Sequence, residues 1–170
     1  MDIRAYSKIL LTYLILLLLQ VMVVNNIIMG SWGITPLLYV LYVLVLPFEI
    51  PRWVLLVSSF VMGYSVDVFC DTPGLNSGAL VAMAFARPWI LGLISPRDGY
   101  ESGTHPYLME MGRNWFLSYS LPLVFIHHLV YFVLDEFGFG HFLRTMGQTV
   151  ITTIVTEFFV IISQFIAFRK

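Results

Sequence analysis

Gly63-Tyr-Ser-Val-Asp67-Val-Phe-Cys-Asp71-Thr-Pro73-Gly74-Leu-Asn76 joins two long apolar runs, and the second run carries Arg87-Pro88 in its interior. An acid and an arginine inside such runs are costly in hydrocarbon, so they face a polar bundle interior by default. The Thr72-Pro73-Gly74 step breaks the helix and sends the chain back, which makes the flanking helices antiparallel neighbours. Gly63, Asp67 and Asp71 recur every four residues, as do Gly78, Ala82 and Ala86 on the returning helix. Small residues at that spacing let two helix backbones approach closely. Asp71 closes the first helix, where the dipole disfavours its charge, and is expected to hydrogen-bond the Thr72–Asn76 turn.

Working outward, the composition fits this membrane reading. The chain is 59% hydrophobic and only 11% charged, with a mean hydropathy of +0.86. Soluble domains carry about 25% charged residues. A net charge of −1 gives no basic surface for nucleic acid. Cys70 stands alone and forms no internal disulfide.

A helix needs about 20 apolar residues to cross the hydrocarbon. Six spans are predicted, at 9–29, 34–47, 53–71, 76–94, 114–134 and 148–168, in a single all-α integral membrane domain. The second is short, starts at Pro36 and ends at Pro47-Phe-Glu49-Ile-Pro51. Gly30-Ser-Trp-Gly33 and a mixed aromatic-polar stretch near 135–147 form connections. Six passes put both ends on one side. Arg4, Lys8, Arg52, Arg97, Arg113, Arg169 and Lys170 share that side, against Arg144 on the other. Both termini are therefore expected in the cytoplasm and the Gly74 turn outside.

At about 1.5 Å per residue, Arg87, Glu157 and Gln20 fall near one mid-depth level, and Asp67 lies shallower. A lone charge there costs about 2.5–3.5 kcal/mol, so an Arg87–Glu157 ion pair with Gln20 as a third member is expected. Its plainest role is to fix one helix arrangement. His127 and His128 are neighbours about 100° apart on a helix and suit packing better than one shared metal. Pro88 and Pro122 are kink candidates. The chain has no Gly-x-Ser-x-Gly, His-Glu-x-x-His or Gly-x4-Gly-Lys-Ser/Thr motif, and no cofactor is implied.

The chain resembles the bacterial rod shape-determining MreD family. The likeness rests on length and six spans, on Gly63-x3-Asp67 with Pro73-Gly74-x-Asn76, and on Ala84-Phe-Ala-Arg87-Pro88. It continues through Leu93-Ile-Ser95-Pro96-Arg97-Asp98-Gly99-Tyr100-Glu101 and the Leu46-Pro47-Phe-Glu49 turn. What the resemblance implies is a non-enzymatic inner-membrane component of the cell-wall elongation machinery. Its partner would be an MreC-like bitopic protein and, through it, the elongation glycosyltransferase and transpeptidase. It also implies a fold similar to the substrate-binding subunits of energy-coupling-factor vitamin transporters, which supply the alternative function. Those subunits dock through small residues on the first helix, and Ile9 to Met29 has no alanine or glycine. A lipid-acting enzyme is a third reading. The Ser95–Arg113 loop, with Ser95, Pro96, Arg97, Asp98, Tyr100 and Glu101, is a candidate cytoplasmic docking surface or a solvated loop beside lipid phosphates.

Overall fold

The computed structural model describes residues 3–26, 35–101, 103–136 and 142–167, and among these every regular element is helical. The helices are α1 (Ile3–Met22), α2 (Leu41–Val45), α3 (Arg52–Cys70), α4 (Leu75–Leu93), α5 (Leu108–Met111), α6 (Arg113–Asp135) and α7 (Phe142–Ala167). Single 3-10 turns stand at Val24–Asn26 and Leu38–Val40. Among the described residues, four stretches are long and apolar enough to cross a membrane: Ile9–Asn26, Arg52–Cys70, Arg113–Asp135 and Phe142–Ala167. Helix α4 matches α3 in length at 19 residues and carries Asn76 and Arg87 within it. The Gly30–Gly33 turn, residues 27–29, 34 and 168, and residues 137–141 of the expected 135–147 connection lie outside the described residues. Of that connection, Asp135 and Glu136 close α6, and the residues from Phe142 onward already belong to α7.

The second expected span departs from prediction. Residues 35–47 do not form one membrane-length helix, because regular helix is confined to the 3-10 turn and the five residues of α2. Leu37 to Leu46 are nevertheless all buried. Prolines at both margins shorten the helix. The backbone on either side of Leu38–Val45 is non-helical, which apolar surroundings tolerate only inside protein.

Contacts fix the running directions. Tyr13 bonds Ser65, and Asn25 bonds Cys70, so α1 and α3 run parallel. Gln20 meets Pro36 and Tyr39, while Ile9 and Thr12 line a small cavity of about 50 Å³ with Val45, Leu46 and Pro47. Residues 36–47 thus run back along α1. Arg87 meets Tyr119 and Gly78 faces Leu134, which makes α4 and α6 antiparallel. Ser120–Glu157 within α6 and α7, with Leu108–Gln164 from α5 just ahead of α6, does the same for α6 and α7. Helix α4 packs between α3 and α6, and α7 covers the other side of α6.

Polar groups share the interior with the apolar core, and large apolar side chains also face outward. Gln20, Asp67, Asn76, Arg87, His127, His128 and Glu157 are buried, while Leu10, Leu14, Leu18, Phe158 and Ile166 are exposed. Outward apolar faces of this size mark a lipid or partner surface.

Candidate functional site: a polar interior built from backbone caps

The hairpin turn is organised by Asp67. Its carboxylate accepts from the backbone N–H of Asn76 (2.9 Å), Ser77 (3.0 Å) and Gly74 (3.2 Å). It also accepts from the Asn76 side-chain amide (2.9 Å) and the Thr72 hydroxyl (3.1 Å). The N-cap residue of α4, Gly74, supplies no side-chain cap. Asp67 therefore caps α4 from the neighbouring helix, placing its charge at the positive end of the dipole. This corrects the role expected of Asp71. The Asp71 side chain is exposed, and its backbone, at φ 56° and ψ 44°, makes the left-handed turn that releases the chain from α3. Asp67 wins because its side chain, one helical turn earlier, lies beside the N–H groups of α4.

The same turn connects inward. The Asn76 side-chain amide nitrogen is a donor to Asp67 and Thr72, so its Oδ1 accepts, and it takes the Tyr39 hydroxyl at 2.7 Å. Tyr39 oxygen lies 2.8 Å from His127 Nε2, and with its own proton given to Asn76 it accepts from His127. This assigns the Nε2–H form to His127. His128 takes the other tautomer. Its Nδ1 donates to Val124 carbonyl (2.7 Å), leaving Nε2 to accept from the Thr156 hydroxyl (3.2 Å). Both imidazoles are fully buried bracing groups. Among the described residues no cluster of three or more His, Cys, Asp or Glu could hold a metal.

Gln20, Thr156, Arg87 and Tyr119 serve one purpose: they satisfy the backbone of residues 36–47. At the start, Gln20 accepts from Tyr39 N–H (3.2 Å) and donates to Pro36 carbonyl (3.1 Å). Thr156 accepts from Leu37 N–H at 3.1 Å. At the end, Arg87 donates to the carbonyls of Leu46 and Pro47, and its Nε donates to Tyr119 hydroxyl at 2.6 Å. Tyr119 in turn donates to Leu44 carbonyl at 3.1 Å. A cation at the C-terminal carbonyls of a helix is favourable both as hydrogen-bond donor and against the dipole.

The expected Arg87–Glu157 ion pair is absent among the described residues. Glu157 pairs with the Ser120 hydroxyl, which also lies 2.8 Å from Phe116 carbonyl. Tyr119 and Ser120 are adjacent on α6 and point about 100° apart. Arg87 reaches α6 from the α4 side and Glu157 from the α7 side, so the helix stands between them. Matching depth did not settle their angular position around the bundle. Gln20 joins neither of them.

Small residues act where the hairpin is tightest. A Cβ on Gly63 would lie 2.4 Å from Ser77 Cα, so the α3–α4 contact is backbone against backbone. The predicted α4 stripe has another orientation: a Cβ on Gly78 would meet Leu134 of α6 at 3.1 Å, and Ala82 and Ala86 are half-buried. Pro73 and Gly74 occupy the turn, Gly74 at φ 89°.

The 95–112 loop is tied down by aromatic rings. Tyr100 stacks on Phe48 with centroids 4.2 Å apart, Trp115 meets both edge-on, and Trp115 stacks on Tyr119. Tyr100 hydroxyl donates to Leu91 carbonyl, and burial pushes its phenol up from the ordinary value. Ser95, Pro96, Arg97, Asp98 and Glu101 stay exposed.

Sequence reasoning missed Tyr39, Tyr119 and Thr156. The available signal was the proline-bracketed apolar stretch too short to span, whose free backbone ends required polar partners on other helices. Comparison with protein families, with characterised proteins and with solved structures found no match to the chain.

Proposed function

We propose that this chain is a multi-pass protein of the bacterial cytoplasmic membrane, a non-enzymatic scaffold of the cell-wall elongation complex. It acts by association with an MreC-like single-span partner, through which it reaches the elongation glycosyltransferase and transpeptidase. The support is the resemblance over Leu46 to Glu101. The observation that carries the reading is that distant parts of this motif meet in space. Leu46 and Pro47 offer carbonyls that Arg87 takes, and Asp67 gathers Thr72, Gly74 and Asn76. A motif spent on bracing one bundle suits a protein whose task is to present a fixed membrane surface.

In this reading the chain crosses six times, the second crossing being the capped passage of residues 35–47. Alternating helix directions and the one-sided Lys and Arg distribution support cytoplasmic ends. The exposed apolar faces of α1 and α7 offer the partner a helix-packing surface, and the Arg97–Glu101 segment offers its cytoplasmic portion a polar one.

The test is photocrosslinking from Leu14 and Leu18 in native membranes, followed by purification in mild detergent. Recovery of an MreC-like protein crosslinked at these positions supports the scaffold. Recovery of ATPase subunits replaces it with the vitamin-transporter reading, and crosslinks to no helical protein refute it. Charge reversal at Arg97 and Asp98 that left cell shape unchanged would remove the loop from the partner surface.

A further inference from the structure

The α3–α4 hairpin is closed at one end and open at the other. At Gly63 and Ser77 the backbones touch. Counting away from that contact along two antiparallel helices brings Arg52 opposite Pro88. Here a groove of about 400 Å³ separates the helices, lined by Arg52, Pro88, Trp89, Gly92 and Leu93. Gly92 faces the open space of this groove, and a Cβ there would meet nothing within 4 Å.

We propose that this groove binds an anionic phospholipid, with the phosphate at Arg52 and an acyl chain running from Trp89 toward Phe85. Arg52 is exposed and makes no ion pair among the described residues, and no carboxylate lines the groove. A guanidinium presents paired N–H donors matched to two phosphate oxygens. Arg52 also opens α3, whose first-turn N–H groups have no side-chain cap from Pro51. Trp53 and Trp89 are 70% and 69% exposed, with apolar ring bodies and a polar N–H, the side chain that settles at headgroup depth. Phe85, 64% exposed and one turn nearer the Gly63–Ser77 contact, continues the wall toward hydrocarbon, while Leu93, 82% exposed, flanks the headgroup end. A zwitterionic headgroup would bring its own cation beside an arginine that has no carboxylate to offset it. This favours a lipid with net negative charge.

Native mass spectrometry of the full chain, purified in mild detergent with equimolar phosphatidylglycerol and phosphatidylcholine, reads the preference directly. One arginine at an anionic surface predicts retention of the anionic lipid about fivefold over the zwitterionic one. Arg52→Gln brings that ratio close to one. Gly92→Leu, which fills the groove from an open position, lowers retention of both lipids. Arg97→Gln, in the exposed loop, leaves the wild-type ratio intact, and circular dichroism confirms the fold of each variant. Equal retention by the wild type overturns the proposal, as does an unchanged ratio in Arg52→Gln. Full lipid retention in Gly92→Leu refutes the seat, and an equal loss in Arg97→Gln shows diffuse charge attraction. A helical partner that occupies the groove without lipid selectivity likewise overturns it.

Discussion

Replacing Arg87 tests whether the polar interior is a set of caps or an ion-pair lock. Arg87→Met removes the donors serving Leu46 and Pro47 carbonyls and the one serving Tyr119 hydroxyl. Two buried carbonyls left unsatisfied cost about 1–3 kcal/mol each, or about 2–6 kcal/mol together. Side-chain bonds measured within bilayers run lower, about 0.6 kcal/mol on average and about 1.7 at most, so three of them total about 2–5 kcal/mol. The two routes overlap, and a loss of about 2–5 kcal/mol is expected. Titration with a denaturing detergent in mixed micelles measures it, and because the helices keep their apolar surroundings throughout, the cost of inserting an arginine drops out. A double-mutant cycle then decides between partners. Arg87→Met with Tyr119→Phe should couple by about 0.5–3 kcal/mol, as residues in one network do. Arg87→Met with Glu157→Gln should add within about 0.5 kcal/mol, because α6 separates the two side chains. A coupling above about 1 kcal/mol between Arg87 and Glu157, or an Arg87→Met loss below about 1 kcal/mol, would falsify the cap assignment.

Asp67→Ala should cost at least about 2 kcal/mol, combining the loss of an N-cap with buried donors left unpaired. Hydrogen exchange of the Gly74, Asn76 and Ser77 amides should accelerate in that variant, whereas Asp71→Ala leaves them protected. Gly63→Ala forces the α3–α4 backbones apart and should destabilise by about 1–3 kcal/mol, while Gly92→Ala, with open space at its Cβ, should stay within about 0.5 kcal/mol in the same titration. Burial, reinforced by the Glu110 carboxylate, holds the Tyr107 phenol above its ordinary value of 10.0. The unfolded chain releases that proton first, so stability is fully present below this value and falls as pH rises past it. Tyr107→Phe should flatten the alkaline limb of the detergent titration.

The hairpin is the most legible part of the sequence. Its breakers are local, and Gly63, Asp67, Pro73 and Gly74 act within one turn of where their spacing puts them. The long helices are equally readable, because apolar length is a property of one segment at a time. Residues 35–47 resist such reading: their stability comes from Gln20, Thr156, Arg87 and Tyr119, which are remote in sequence. Helix rise gives Arg87 and Glu157 a common depth but not an angular position, and the angle decides which groups meet. Asp71 misleads for a related reason, since it sits nearest the turn in sequence while Asp67 sits nearest the α4 amides in space.

The capped passage also sets a timetable for synthesis. Leu37 waits for the hydroxyl of Thr156, a partner 119 residues further along the chain. At about 5–20 residues per second, that wait is about 6–24 s after Leu37 leaves the ribosomal catalytic centre. Through this interval the start of the passage lacks one of its caps, and α2 is too short to hold itself as a helix. The centre of the bundle is therefore completed after its outer helices exist. A truncation before α7 removes Thr156 and Glu157 together, leaving the Leu37 amide and the Ser120 hydroxyl without the partners that α7 brings them.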